Sequence, residues 1–176
     1  MLRYFQPKMY LKSYQDLDLK RLQALNKQLI ICDIDNTLVA HTTATANDSV
    51  VKFINKLLEA NFLVVLVSNN SKARVEKFAN SLNLEYFSNA KKPLKFVYKD
   101  ILNHYQLPAE AAVAIGDQLL TDVLGANRMR IFSVLTKPLV KRDIFYTKIN
   151  RFFENIVYFL LDKAKLLTKG KYYDYL

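Results

Sequence analysis

The chain has 176 residues, 51% of them apolar, with 3 Gly, 4 Pro and 1 Cys. This suffices for one cored domain and excludes a collagen-like or disordered chain, while a lone cysteine excludes an internal disulfide and points to a reducing cytoplasm. The net charge of +10 is uneven: residues 1–30 hold 6 basic and 2 acidic side chains, residues 136–176 hold 9 and 4, and residues 31–135 hold 11 and 10.

Basic flanks around a near-neutral centre read either as attraction to an anionic partner, lipid headgroups or nucleic acid, or as a solvated surface. No run of about 18 uncharged apolar residues exists to cross a bilayer. The opening residues Met1 to Lys8 lack the apolar stretch of a secretory signal. A cytoplasmic location is therefore expected.

In chain order, Leu29 to Cys32 is a short apolar run ending in acids, which predicts a buried parallel strand. Val50, Phe53, Ile54, Leu57 and Leu58 come next at helical spacing, with Asn47 or Asp48 as N-cap. Phe62 to Val67 predicts a second strand closing on Ser68, Asn69 and Asn70. After Ser71, the positions Val75, Phe78, Ala79 and Leu82 mark a helix, and Glu85 to Phe87 a weak strand. Pro93 opens a helix with Phe96, Val97, Ile101 and Leu102 on one side. Val113 to Ile115 is a strand closing on Gly116 and Asp117, Thr121 to Arg128 a short helix, and Arg130 to Leu135 a further strand.

Strands alternating with helices imply a Rossmann-like three-layer α/β/α sandwich around a mainly parallel five-stranded sheet. The expected organisation is one domain over residues 1–176, its core at about 27–137, with a basic amphipathic segment 1–26 before it and a helical segment 138–176 after it. In open sheets of this kind, ligands bind beyond the carboxyl ends of the strands. Asp33, Asp35, Ser68 and Asp117 all lie just past strand ends, so the fold would gather them at one edge.

Two carboxylates two positions apart, Asp33 and Asp35, would point the same way if strand alternation continued. Like charges that close need a cation or a protonated partner to relieve them, and with a cation Asp117 would complete a hard oxygen site suited to Mg2+. Each acid taken singly also reads as an ordinary strand-end turn residue.

The run Asp33-Ile34-Asp35-Asn36-Thr37 resembles the DxDxT motif of the haloacid dehalogenase superfamily of phosphohydrolases. Ser68 after its strand, Lys92-Pro93, and Gly116-Asp117 through Asp122 resemble the remaining three motifs, in the same order. The pattern is most similar to the small subfamily IIIA phosphatases related to mitochondrial phosphatidylglycerophosphate phosphatase.

That resemblance implies a role for each matching residue. Asp33 would attack phosphorus to give an aspartyl-phosphate. Asp35 would serve as acid and then base. Asp33, the backbone carbonyl of Asp35 and Asp117 would hold Mg2+. Ser68, with Asn69 as a further donor or merely a helix cap, would bind phosphate oxygens. Lys92, chosen over Lys91 because the family has its lysine directly before proline, would neutralise the transferring group. Asp122 would orient Lys92 or a metal-bound water.

Only 35 positions run from Asp33 to Ser68 and 24 from Ser68 to Lys92, which leaves no room for a cap domain. An open site suits a phosphate monoester borne on something large. The segment from Phe145 to Leu167, apolar at helical spacing with Lys148, Arg151, Lys163 and Lys165 interspersed, reads as a helix lying on an anionic membrane or packed on the core. The N-terminal residues Tyr4, Phe5, Met9, Tyr10, Leu11 and Tyr14 have the same character. A lipid phosphate is accordingly the expected substrate, with peripheral attachment to the inner face of the membrane. A soluble sugar phosphate or nucleotide is the alternative. The complete acidic set argues against a bare nucleic-acid-binding module, and nucleic acid is not an expected partner. Oligomeric state is left open.

Overall fold

In the computed structural model, which describes residues 2–140 and 145–174 (side chains of 145–151 aside), the apolar runs become strands in parallel register. The strands are β1 (Met9–Leu11), β2 (Leu29–Asp33), β3 (Leu63–Val67), β4 (Glu85–Phe87), β5 (Ala112–Gly116) and β6 (Phe132–Thr136). The sheet order is β1-β6-β5-β2-β3-β4, and every pairing is parallel. The most apolar strands, β2 and β5, occupy the centre, as burial on both faces requires.

The helices are α1 (Leu19–Ala24), α2 (Asp48–Glu59), α3 (Lys72–Asn80), α4 (Lys95–Tyr105), α5 (Leu124–Arg128) and α6 (Phe145–Lys163). Alternation along β2 divides the core. Ile30 and Cys32 pack with Val50, Ile54, Val75 and Phe78 of α2 and α3. Leu29 and Ile31 pack with Val97, Tyr98, Ile101 and Ala126 of α4 and α5. Two helical layers thus enclose the sheet. Asn47 caps α2, its Oδ1 accepting from the Val50 amide at 3.0 Å, which decides between the two predicted caps.

Three expectations are corrected. The sheet has six strands, not five, because Met9–Leu11 adds to the outer side of β6 in the register Met9 to Val134. Three residues are too few for any period to register. Secondly, Met9, Tyr10, Leu11 and Tyr14 are buried in the core, so this stretch presents no apolar face to a membrane. The last turns of the chain cover β1: Tyr10 and Tyr173 exchange two backbone hydrogen bonds of 2.8 Å, closing what would be an open edge. Thirdly, Phe96 does not share the buried face of α4; it is 71% exposed, whereas Val97, Tyr98, Ile101 and Leu102 point inward.

The helix α6 falls where the sequence expects it. Among its described side chains, Glu154 and Leu161 are buried while Phe152, Phe153, Ile156, Phe159 and Leu160 remain exposed. The side chains of Lys148 and Arg151, also named in the membrane reading, lie outside those described. No described helix is long and apolar enough to cross a membrane.

Candidate active site at the carboxyl edge of the sheet

β2, β3 and β5 end side by side, with Asp33 paired to Val67 and Ile115 opposite Cys32, so the loops leaving these strands meet at one edge. Asp33, the last residue of β2, is buried there with Asp117 and Asp122; one carboxylate oxygen from each lies within 4.8 Å of the others. Lys92, whose side chain is 2% exposed, reaches between two of them from the loop before α4. Its Nζ donates to Asp33 Oδ1 and to Asp122 Oδ1, both at 2.6 Å.

The remaining oxygens are also held. Asp33 Oδ2 accepts from the Thr37 hydroxyl at 2.8 Å. Asp122 Oδ2 accepts from the Gln118 amide at 3.1 Å, which fixes the turn opening on Asp117. Gly116 has a steric role: a Cβ there would overlap the Asp122 carboxylate, so only glycine lets β5 pass this closely.

Charge explains the chemistry of the cluster. Asp33 and Asp122 share the Lys92 ammonium in a low-dielectric setting, and an Asp117 oxygen lies within 4.8 Å of theirs. Burial pushes the Asp33 carboxyl up to about 7, against the pull of Lys92 and with help from the Asp122 charge. Burial works against the Lys92 charge too, but Asp122 and Asp33 outweigh it and hold the ammonium well above the ordinary lysine range. A hard divalent cation matches these clustered oxygen donors. The residues present therefore fit such an ion, Asp33, Asp117 and Asp122 each offering a carboxylate oxygen.

A second cluster adjoins the first. The strand ends at Asp33, so alternation does not carry Asp35 into the Asp33 group. Its carboxylate instead accepts from Ser68 Oγ at 3.1 Å and pairs with Arg74 Nη2 at 3.0 Å. The Ser68 hydroxyl itself accepts from the Asn70 amide at 3.0 Å. Asn69 uses both polar atoms of its side chain on Lys92, accepting from its amide at 2.7 Å and donating to its carbonyl at 3.3 Å. It thus fastens the lysine loop to β3 rather than capping α3. Lys91 is exposed, and it is Lys92 that enters the cluster. His41 lies half-buried in the loop after β2, and His104 pairs with Glu85 on the surface of α4.

The sequence reading missed two side chains. Arg74 sits in the first turn of α3, where a cation opposes the helix dipole; that mismatch is the signal that something else holds it. Glu154 is the acid buried among the described side chains of helix α6. Its Oε1 accepts from the amides of Leu119 (2.5 Å) and Leu120 (3.4 Å), directly after Asp117, and so props the acidic loop from behind.

A strand-end aspartate, a shared lysine and an acidic loop at the ends of adjacent parallel strands meet the family pattern, and the family model for haloacid dehalogenase-like hydrolases matches residues 8–130. The chain is a haloacid dehalogenase-like hydrolase. The matched residues run from Lys8 and so include the unexpected strand β1. Over 149 residues the chain is 34% identical to the Bacillus subtilis protein named "Probable phosphatase YqeG", covering 85% of this chain and 87% of the relative.

Among solved structures, the cobalt-bound deoxy-D-mannose-octulosonate 8-phosphate phosphatase of Haemophilus influenzae superposes with a TM-score of 0.52 at 15% identity, covering 84% of this chain and 96% of the other. The 3-deoxy-D-manno-octulosonate 8-phosphate phosphatase of Yersinia pestis gives 0.52 at 18% identity, covering 84% and 88%. At such identities the likeness is one of fold. Like the sequence spacing, the described residues of this hydrolase include no separate cap domain over the carboxyl edge.

Proposed function

We propose that the chain is a magnesium-dependent phosphatase that hydrolyses a phosphate monoester through a phosphorylated Asp33. The observation that carries this reading is the buried bridge of Lys92 between Asp33 and Asp122, beside Asp117, which concentrates one cation and three carboxylates where a strand-end ligand sits.

Each residue has a definite task. An Asp33 oxygen attacks phosphorus as the ester oxygen departs, and Asp35 gives that oxygen its proton. Water then attacks the aspartyl-phosphate, surrendering a proton to Asp35, and inorganic phosphate leaves with Asp33 restored. Lys92, already positioned at Asp33, meets charge on the transferring group. Ser68 supplies a hydroxyl to a phosphate oxygen. To do so it exchanges Asp35 for the substrate, which frees Asp35 toward the leaving group while Arg74 still steadies it. Bound at Asp33, the Asp35 carbonyl and Asp117, magnesium supplies charge compensation between the anionic nucleophile and the anionic phosphate. Asp122 keeps Lys92 in line.

For the substrate, we propose a phosphate carried by a lipid, of the phosphatidylglycerophosphate type that the motif pattern resembles. The exposed Phe152, Phe153, Ile156 and Phe159 of α6 support this reading, because a patch of that kind marks a surface that meets another apolar phase, and Glu154 ties the same helix to the catalytic loop. The second reading, a soluble sugar phosphate, draws support from the named activities of the Haemophilus and Yersinia proteins.

Phosphate release from an aryl phosphate, with and without magnesium, tests the reaction. Asp33→Asn is expected to abolish it in a folded protein, and turnover by that variant at the parent rate would overturn the assignment. A panel of lipid and sugar phosphates, with flotation on anionic vesicles, tests the substrate. Flotation that anionic lipid does not promote would count against the lipid reading.

A further inference from the structure

Because all six strands run in parallel, their starting ends share the edge opposite Asp33 and Asp117. Along that edge the residues just before β1, β6, β5 and β2, four neighbours in the sheet, line a groove of about 750 Å³ together with Phe132, which opens β6. Its lining is cationic: Arg3, Lys8, Lys27 and Arg130 face it, and Glu110 is the acid among them. The Glu110 carbonyl accepts from Lys27 Nζ at 2.5 Å, and the same ammonium lies 5.2 Å from the centre of the Phe132 ring. Arg3 and Arg130 make no ion pair among the described residues.

Tyr4, 52% exposed, stands at the rim. It also lines a second cavity of about 420 Å³ with Phe5, Lys95 and Arg128, so the basic lining continues up the α5 side of the sheet. Arg130 adds an independent observation. Its φ of 62° is left-handed, where glycine or asparagine is the unstrained choice, yet the position holds an arginine.

We infer that this stripe is a binding site for single-stranded nucleic acid. A row of cations tracks a phosphate backbone without reading sequence, and an exposed aromatic ring offers a stacking platform for a base. The groove is concave, so a polymer strand enters it, whereas a flat bilayer meets the rim alone. Five residues of strand at about 3.3 Å each separate the groove from the catalytic edge by roughly 15 Å. The site is thus distinct from the acidic cluster, and the inference does not depend on the phosphatase reading. It reverses the expectation that nucleic acid is not a partner.

The test is fluorescence anisotropy of a labelled mixed-sequence 12-nucleotide RNA with the full chain, titrated between 50 and 200 mM salt. Neutralising up to four phosphates at about 0.7 ion each gives a log–log salt slope near −3. The double variant Arg3→Glu with Arg130→Glu is expected to bind at least tenfold more weakly with a flatter slope, and Tyr4→Ala about tenfold more weakly. Arg130→Gly removes the same cation while relaxing the backbone, so weaker binding there cannot come from unfolding. Circular dichroism melts of all variants are expected to match the parent. Absence of RNA binding at 50 mM salt would overturn the inference. So would variants that bind like the parent, or retention on anionic vesicles through these cations without RNA binding.

Discussion

Replacing Lys92 by methionine keeps the unbranched stem of the side chain and removes its charge. In the folded chain that charge is 2% exposed and lies 2.6 Å from both Asp33 and Asp122. Breaking a buried ion pair by deleting one partner costs about 3–5 kcal/mol. Here two carboxylates lose their partner at once, so the upper end of that range applies, against a total stability of about 5–15 kcal/mol for a domain. The loss depends on pH in a definite direction. Burial already raises the Asp33 carboxyl to about 7, so the folded chain holds this proton more tightly than the unfolded one. Its contribution to stability is therefore greatest at low pH and declines as pH rises from the ordinary carboxylate value through about 7. Without the lysine the same group is raised further, and the cost of the substitution is larger at pH 8 than at pH 5.5. Magnesium, binding only the folded chain, restores about 2.7 kcal/mol when present at a hundred times its dissociation constant. Urea denaturation at both pH values, with and without magnesium, measures each quantity. A Lys92→Met variant as stable as the parent at pH 8 without metal would refute the charge argument.

Further expectations concern the frame around the acids. Gly116→Ala drives a methyl group into the Asp122 carboxylate and is expected to lower magnesium affinity by at least tenfold, read by calorimetric titration; parent-like affinity would show that β5 tolerates a side chain there. Glu154→Leu strips the acceptor from the Leu119 and Leu120 amides and is expected to cost about 1–3 kcal/mol of stability. Glu154→Gln, which keeps one acceptor oxygen, should recover part of this, and equal melting temperatures for all three proteins would remove α6 from any role in supporting the loop. Magnesium must displace the proton from Asp33, so its apparent affinity should fall as pH drops below about 7, approaching a tenfold loss per unit; affinity constant from pH 5.5 to 8 would mean that Asp33 is not a ligand.

Much of this protein is legible in the one-dimensional chain. Apolar runs such as Leu29 to Cys32 and Val113 to Ile115 are buried on both faces, so their composition alone marks them as central strands, and the residues just past them must then meet at one edge. Asp33, Ser68 and Asp117 are legible for that reason, while Lys92 and Asp122 are legible only through the family resemblance; the structure brings all five to that edge. Asp35 shows the limit of local reasoning. Spacing aligned it with Asp33, but the strand stops at Asp33 and the second carboxylate turns to Ser68 and Arg74.

The features that escaped the sequence depend on partners far away along the chain. The strand β1 is too short to carry a period, and its place was decided by pairing with β6 more than a hundred residues later and by the strap of Tyr173 across its other side. Aromatic residues at 10 and 14 look the same whether they face lipid or a core, and only packing could choose. The exposure of Phe96, the reach of Glu154 from α6 to the Leu119 amide, and the meeting of Arg3, Lys27 and Arg130 in one groove belong to the same class. Periodicity and composition report what a segment must bury, because that requirement is local. Which distant segment buries it, and which charges are thereby brought face to face, is settled only when the sheet order and the helix packing are in place.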